Sequence, residues 1–264
     1  MELPLIDLAD VHDEASKLAI ARRLAIISRT VGCIELKNHG IDVREMMSVS
    51  QKLFNMPADE QKEWTVSSPQ DQYGYDANTG PGEASLRLSG KAFSTSPEDL
   101  PILWQLLLPR VDTFKASCKH LIERLHVYLD VAMGESRAQD LPKLHEDSDV
   151  NAQLHIARYT TQTKPSQMYW MPCSPGGSIT IGCRSTGDAE LETSAGRWRT
   201  VLPAEDTVAV YIGDAVPLWS QGHHRRMRYR PIWTPNDREK AMVSLAYRSP
   251  RLDNAGGLLE KCKS

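Results

Sequence analysis

This sequence lacks a dominant charge sign, a long apolar run and any closely paired cysteines. With 31 Lys and Arg against 34 Asp and Glu, the formal net charge is only -3. No strong field of either sign therefore points to nucleic acid or an anionic membrane surface as a partner. No apolar stretch approaches the roughly 20 residues a bilayer span needs. The opening Met1-Glu2-Leu3-Pro4 has neither a basic region nor an apolar signal core, so the expected location is the cytoplasm. Cys33, Cys118, Cys173, Cys183 and Cys262 form no Cys-x-x-Cys unit, which argues against a disulfide framework and a structural zinc. Internal repeats and low-complexity tracts are absent too. What is present is ordinary for a globular chain: 264 residues, 41% hydrophobic and 25% charged. That is near the upper size for one domain and enough to bury a substantial core.

Organisation changes near the middle of the chain. Ile20, Leu24 and Ile27 recur at helical spacing over residues 13–30, with Asp13 a plausible N-cap and Gly32 a stop. Further helices are predicted over 45–55, over 58–64 after Pro57, and over 101–133, where Phe114, Cys118, Leu121, Leu125 and Tyr128 trace one stripe. Residues 67–90 are dense in Gly, Pro, Ser and Asn and read as one long, lid-like loop. After Ser148 the period shortens to two. Strands are predicted around 154–159, 178–183, 197–202, 207–212, 227–233 and 242–248. Helices followed by short strands suggest an α+β protein with a jelly-roll half. The expected plan is a single domain over 1–264: a mainly helical part (1–147), the jelly-roll core (148–250) and a short tail (251–264).

Particular stretches carry a family resemblance. LPLIDL at residues 3–8 and GCIELKNHGI at 32–41 resemble the N-terminal signature of the isopenicillin-N-synthase-like oxygenases, approximately G-F-F-x-L-x-N-H-G-I in its second part. FNMPADEQK at 54–62 is similar to that family's helix junction. Gly196-Arg197-Trp198, Val201, Pro203, the run from Val208 to Asp214 and Trp219-Ser220-Gln221-Gly222 follow its later pattern in order. The resemblance covers nearly the whole chain. It implies a double-stranded β-helix, or jelly-roll, core flanked by helices, as in the iron(II)/2-oxoglutarate-dependent dioxygenase superfamily.

The residues that family uses for chemistry are replaced here. Its iron sits on two His and one carboxylate, which leave three open coordination positions. Aligned on Gly177-Ser178-Ile179-Thr180-Ile181, the first His falls on Cys173 and the Asp on Pro175; a one-residue slip gives Pro172 and Ser174. The distal H-R-V unit falls on Tyr229-Arg230-Pro231. The R-x-S pair that grips 2-oxoglutarate, a guanidinium fork on a carboxylate, falls on Ala241 and Val243 or on Met242 and Ser244. The resemblance therefore implies a degenerate member with no metal and no cofactor.

Strand alternation sends His155, Ala157 and Tyr159 into the former site and Arg158 away from it. With Cys173, Tyr229, Trp170 and Trp219 they suggest a mostly apolar pocket for a small hydrophobic organic ligand. Tyr229, His155 and Cys173 are the candidate catalytic residues, with His155 able to relay a proton near neutral pH. Tyr159, Trp170, Trp219, Tyr73 and Tyr75 are the candidate substrate contacts. Each has a plainer reading as well: Tyr229 as volume filler, Cys173 as a small buried hydrophobe, and His223-His224-Arg225-Arg226 as a solvated basic turn. The expected activity is a metal-independent, non-oxidative step such as a cyclisation, rearrangement, isomerisation or dehydration. The alternatives are a non-catalytic ligand-binding or partner subunit, and an iron(II)/2-oxoglutarate oxygenase with ligands outside the aligned positions. Oligomeric state is left open.

Overall fold

The computed structural model describes residues 2–63, 74–80, 83–88, 102–133, 152–160, 177–185, 188–201, 204, 206–220, 222–225, 227–232 and 242–249. Helix α1 (Glu14–Thr30) starts where local chemistry dictates. Asp13 accepts the Ser16 N–H at 2.8 Å, and Ser16 Oγ accepts the Asp13 N–H at 2.9 Å, a reciprocal capping box. Gly32, at φ 75°, ends it in a conformation that disfavours a side chain, and the chain passes directly into β2 (Cys33–Lys37). Helices α2 (Val43–Phe54), α3 (Ala58–Glu63) and α4 (Ile102–Met133) fall within a few residues of their predicted spans.

Eight strands form one sheet. In spatial order they are β1 (Leu5–Asp7), β2, β9 (Thr207–Ile212), β6 (Ile179–Arg184), β11 (Met242–Arg248), β5 (Gln153–Tyr159), β4 (Glu83–Leu88) and β3 (Gly74–Gly80). A second sheet orders β10 (Tyr229–Ile232), β7 (Asp188–Glu192) and β8 (Trp198–Val201). The short helix α5 (Ala215–Trp219) follows β9. Helices packed on one face of a mainly antiparallel sheet, with a smaller sheet against the other, give the expected α+β jelly roll.

One expectation about this half is corrected. The stretch 67–90 is not a single loop, because β3 and β4 lie within it and β4 pairs with β5 along its whole length. Leu86 and Leu88 are buried in the core while Ser85 and Arg87 take the other face. That period of two is genuine strand patterning, obscured in the sequence by the Gly and Pro around it. The remaining positions of 67–90 lie outside the described residues.

The large sheet has two unlike faces. Leu154, Tyr247, Ile181, Val210 and Ile34 stand side by side across five strands, and all are buried in the main core under α1, α2 and α4. Arg158 shares this face. Its guanidinium lies 5.0 Å from the Phe54 ring centroid and donates to the Phe54 carbonyl at 3.1 Å, as alternation requires. The other face looks toward the small sheet, where Leu191 and Val201 pack with Cys33, Tyr211 and Met227.

Candidate active site

The interior face is built in rows, because opposed residues of antiparallel strands project to the same side about 5 Å apart. Ala157, Ser244 and Arg184 make one row across β5, β11 and β6. Arg87, His155, Ala246 and Gly182 make the next. Gln153, Arg248, Thr180 and Tyr211 make a third. The expected pocket was mostly apolar. Instead, three arginines share this face, because β4, β6 and β11 each place one on the alternation that points inward.

Around Arg184 the packing is specific. Its Nη2 donates to the Tyr211 hydroxyl at 3.1 Å. The Tyr211 ring reaches it by lying over Gly182: a Cβ there would stand 2.5 Å from Tyr211 Cε2. On its other side the ring stacks on Tyr229, with centroids 5.1 Å apart and planes at 12°. Tyr229 faces inward because its neighbour Arg230 is held on the opposite side, by Glu190 at 2.8 Å and by the Trp198 ring at 4.4 Å. Burial pushes the Tyr211 phenol up to about 12, so it stays protonated. No carboxylate among the described residues lies within ion-pair distance of Arg184. Glu35, an acid on the same face in β2, accepts the Ala204 N–H at 2.9 Å. Glu35 also feels the Arg184 charge at longer range; among the described residues the guanidinium hydrogen-bonds to a phenol alone, which leaves most of its donors available to an anion.

The second cluster surrounds His155. Burial, then Arg248 and Arg87, hold its imidazole down to about 3. It is therefore neutral at ordinary pH and does not titrate near neutrality as the sequence suggested. Thr180 is 1% exposed, and its Oγ1 has no hydrogen-bond partner; the same holds for Ser85 Oγ and Arg248 Nε.

The other predicted residues divide as follows. Tyr159 lies on the interior face, packed with Ala157 and Met242. Tyr75 does not: it pairs with Leu86 and sits 6.4 Å from the Phe54 ring in the helix-side core, because its position in β3 falls on the opposite alternation. Trp219 ends α5. Cys173, Trp170 and Tyr73 lie outside the described residues. The described part of the expected solvated turn, residues 223–225, is only partly solvated. His224 is 2% exposed, its Nδ1 contacts Ser28 Oγ of α1, and its N–H donates to Ser220 Oγ at 3.1 Å. Arg225 Nη2 donates to the Glu192 carbonyl at 3.0 Å and to that of Thr193 at 2.6 Å. The turn folds back onto the end of α1, which buries what the sequence alone left outside.

Solved structures share this fold. A Neurospora crassa protein, crystallised in complex with alpha-KG (2-oxoglutarate) and 5-formyluracil, superposes with a TM-score of 0.77 at 21% identity, covering 94% of this chain and 84% of that one. The fold is that of the 2-oxoglutarate-dependent dioxygenases. Residues 3–98 match the family model described as the N-terminal part of non-haem dioxygenases in morphine synthesis. Gibberellin 2-beta-dioxygenase 8 of Arabidopsis thaliana is 27% identical over 249 residues, 89% of this chain and 70% of its own. Protein SRG1 of the same plant is 25% identical over 263 residues, 93% and 71%. Sequence and fold together support the iron(II)/2-oxoglutarate dioxygenase superfamily.

These relatives overturn the expectation of a non-oxidative, metal-independent reaction. Substitution at aligned positions does not demonstrate a lost function, because a barrel interior can be served from neighbouring strands, and Arg184 stands in register with Ser244. The described residues fit the two halves of the family's chemistry unequally. For 2-oxoglutarate they offer a guanidinium and hydroxyls. For iron they offer no group of three His, Cys, Asp or Glu close enough to hold a metal. Tyr229 presents a phenol at the distal position, and Cys173 and Pro175 lie outside the described residues.

Proposed function

We propose that this chain is a 2-oxoglutarate-dependent oxygenase acting on a small organic molecule, with metal ligands that the family pattern does not assign. One observation carries the reading: a guanidinium with no carboxylate at ion-pair distance among the described residues, held in register with Ser244 on the interior face. Keeping a charged group inside a barrel is costly unless a counter-charge arrives. A barrel retained only as scaffold has no use for it. In this reading Arg184 and Ser244 take the distal carboxylate of 2-oxoglutarate, replacing the guanidinium lost at Met242 with one from the adjacent strand. Tyr211 orients Arg184, and Tyr159 closes the same end. Bound iron(II) would supply oxygen activation; the described residues bind, orient and enclose.

The test is retention. The purified chain is incubated anaerobically with iron(II) and 2-oxoglutarate and desalted, and both are quantified before air is admitted and succinate is measured. The expected result is about one equivalent of each, followed by succinate. Arg184→Met should keep the iron while weakening 2-oxoglutarate by at least roughly tenfold, or about 1.4 kcal/mol. Iron below about a tenth of an equivalent, with no succinate, would end the oxygenase reading.

A further inference from the structure

The interior face carries a second set of anion-seeking groups that the 2-oxoglutarate site does not use. Arg248 and Thr180 are directly opposed on β11 and β6. They lie four residues from Ser244 and Arg184, roughly 13 Å at the ordinary strand rise. Arg87 enters beside His155 from β4. Arg248 Nε is buried without a partner, and among the described residues its Nη1 reaches Gln153 Oε1 alone, at 3.4 Å. No carboxylate among the described residues lies within ion-pair distance of it. Thr180 Oγ1 is a buried orphan on the same row. An unpaired buried hydroxyl and an unmatched guanidinium donor each cost free energy that a bound anion would recover. Between the Ser244–Arg184 row and the Arg248–Thr180 row lie Ala246, a small side chain beside His155, and Gly182 beneath the Tyr211 ring.

We propose that Arg248, Thr180, Arg87 and His155 form the seat for a carboxylate on the organic substrate, so that the molecule oxidised is an organic acid. That the acid is the substrate rests on the oxygenase reading; the site itself does not. The planar fork of Arg248 binds a carboxylate through paired N–H donors, Thr180 donates its hydroxyl, and neutral His155 gives or accepts one hydrogen bond without competing for the charge. A ligand anchored here points its other end toward Arg184. That places two carboxylates, the substrate's and the cosubstrate's, at opposite ends of one interior.

The experiment is calorimetric titration of the full chain with phenylacetate and, separately, with phenylacetamide. Both are run under nitrogen, with and without iron(II) and saturating 2-oxoglutarate. The acid should bind at least roughly tenfold more tightly than the amide. Arg248→Gln should remove that advantage and leave amide binding and 2-oxoglutarate retention as they were. Thr180→Val, nearly isosteric, should weaken the acid by roughly threefold, and it keeps the test alive should Arg248→Gln fail to fold. Equal binding of acid and amide, binding of neither, or indifference to both variants would overturn the proposal. So would competition by 2-oxoglutarate together with loss of its retention in Arg248→Gln, since the site would then be the cosubstrate's own. Inorganic phosphate binding as tightly as the acid would also overturn it. If iron and 2-oxoglutarate are not retained but phenylacetate still binds through Arg248, the oxygenase reading fails and the carboxylate site stands. If both are retained but phenylacetate does not bind, the reverse holds.

Discussion

The two faces of the eight-stranded sheet are made by the same strands and obey opposite rules. On the helix side, β11 places Val243, Leu245 and Tyr247 into an aliphatic core. On the interior side the same strand places Ser244, Ala246 and Arg248, and its neighbours add Arg184 and the buried hydroxyls of Thr180 and Ser85, which lack partners. The first face is arranged for stability. The second carries buried donors and hydroxyls that lack hydrogen-bond partners and so cost free energy in the empty protein. Stability and function are therefore separable along one strand at a spacing of a single residue.

The largest effect that would sharpen this contrast is on the helix side. Leu245→Ala, at a position 1% exposed, should cost about 2–5 kcal/mol in urea unfolding. The 2-oxoglutarate retained per folded chain should not change. If loading fell in proportion to stability, the two faces would not be independent.

Gly182→Ala tests the interior from the packing side. The added methyl meets the Tyr211 ring, and overpacking of this kind typically costs about 1–3 kcal/mol. Because the ring must move off Arg184, 2-oxoglutarate retention should fall as well. A crystal structure of the variant with Tyr211 unmoved would break the link between the glycine and the site.

How far the sequence revealed these faces depended on the face. Helix caps and stops were legible at Asp13 and Gly32 because they are decided within a few residues. The core strands were legible because β-rich segments alternate cleanly. β3 and β4 were missed because turn residues surround them, and Tyr75 was assigned to the site because its alternation could not be phased without them. At the site, attention to the family's ligand positions turned up only absences. Arg184 and Arg248 were in view, on the same alternation as Gly182 and Ser244. What the sequence could not supply was the strand order that sets β6 beside β11, so that an arginine on one can serve a serine on the other. The burial of His224 likewise depended on a contact with Ser28 across 196 positions.

Acid should act on the interior face and on the 223–225 turn at once, more weakly. His155 and His224 are held at about 3 and about 4, first by burial and then by neighbouring positive charge. Both lie below the ordinary value near 6.5. Between those limits the unfolded chain binds more protons than the folded one, so stability rises with pH in this window. It is complete above about 6.5 and is lost as pH falls toward 4. Melting temperature should drop steadily over that range, and His224→Asn should flatten the slope. An unchanged slope would mean that the imidazole is not held neutral in the folded state.

The smallest effect is also the most telling, because its sign is the unusual one. Removing a buried, well-packed side chain normally destabilises a protein. Arg184→Met removes the longest side chain in its row and its hydrogen bond to Tyr211, yet it also takes away an interior positive charge that no described carboxylate meets at ion-pair distance. Replacement of such groups by apolar side chains of similar volume is often neutral or stabilising. The expected change in unfolding free energy is therefore at most about 1 kcal/mol, toward greater stability. Denaturant midpoints measured without 2-oxoglutarate, and again with it in saturating amount, decide the matter. The native protein should gain stability from the ligand, and the variant should gain little. If Arg184→Met instead unfolds the empty protein as readily as Leu245→Ala does, Arg184 is a strut of the barrel, and the interior face differs from the core in composition but not in purpose.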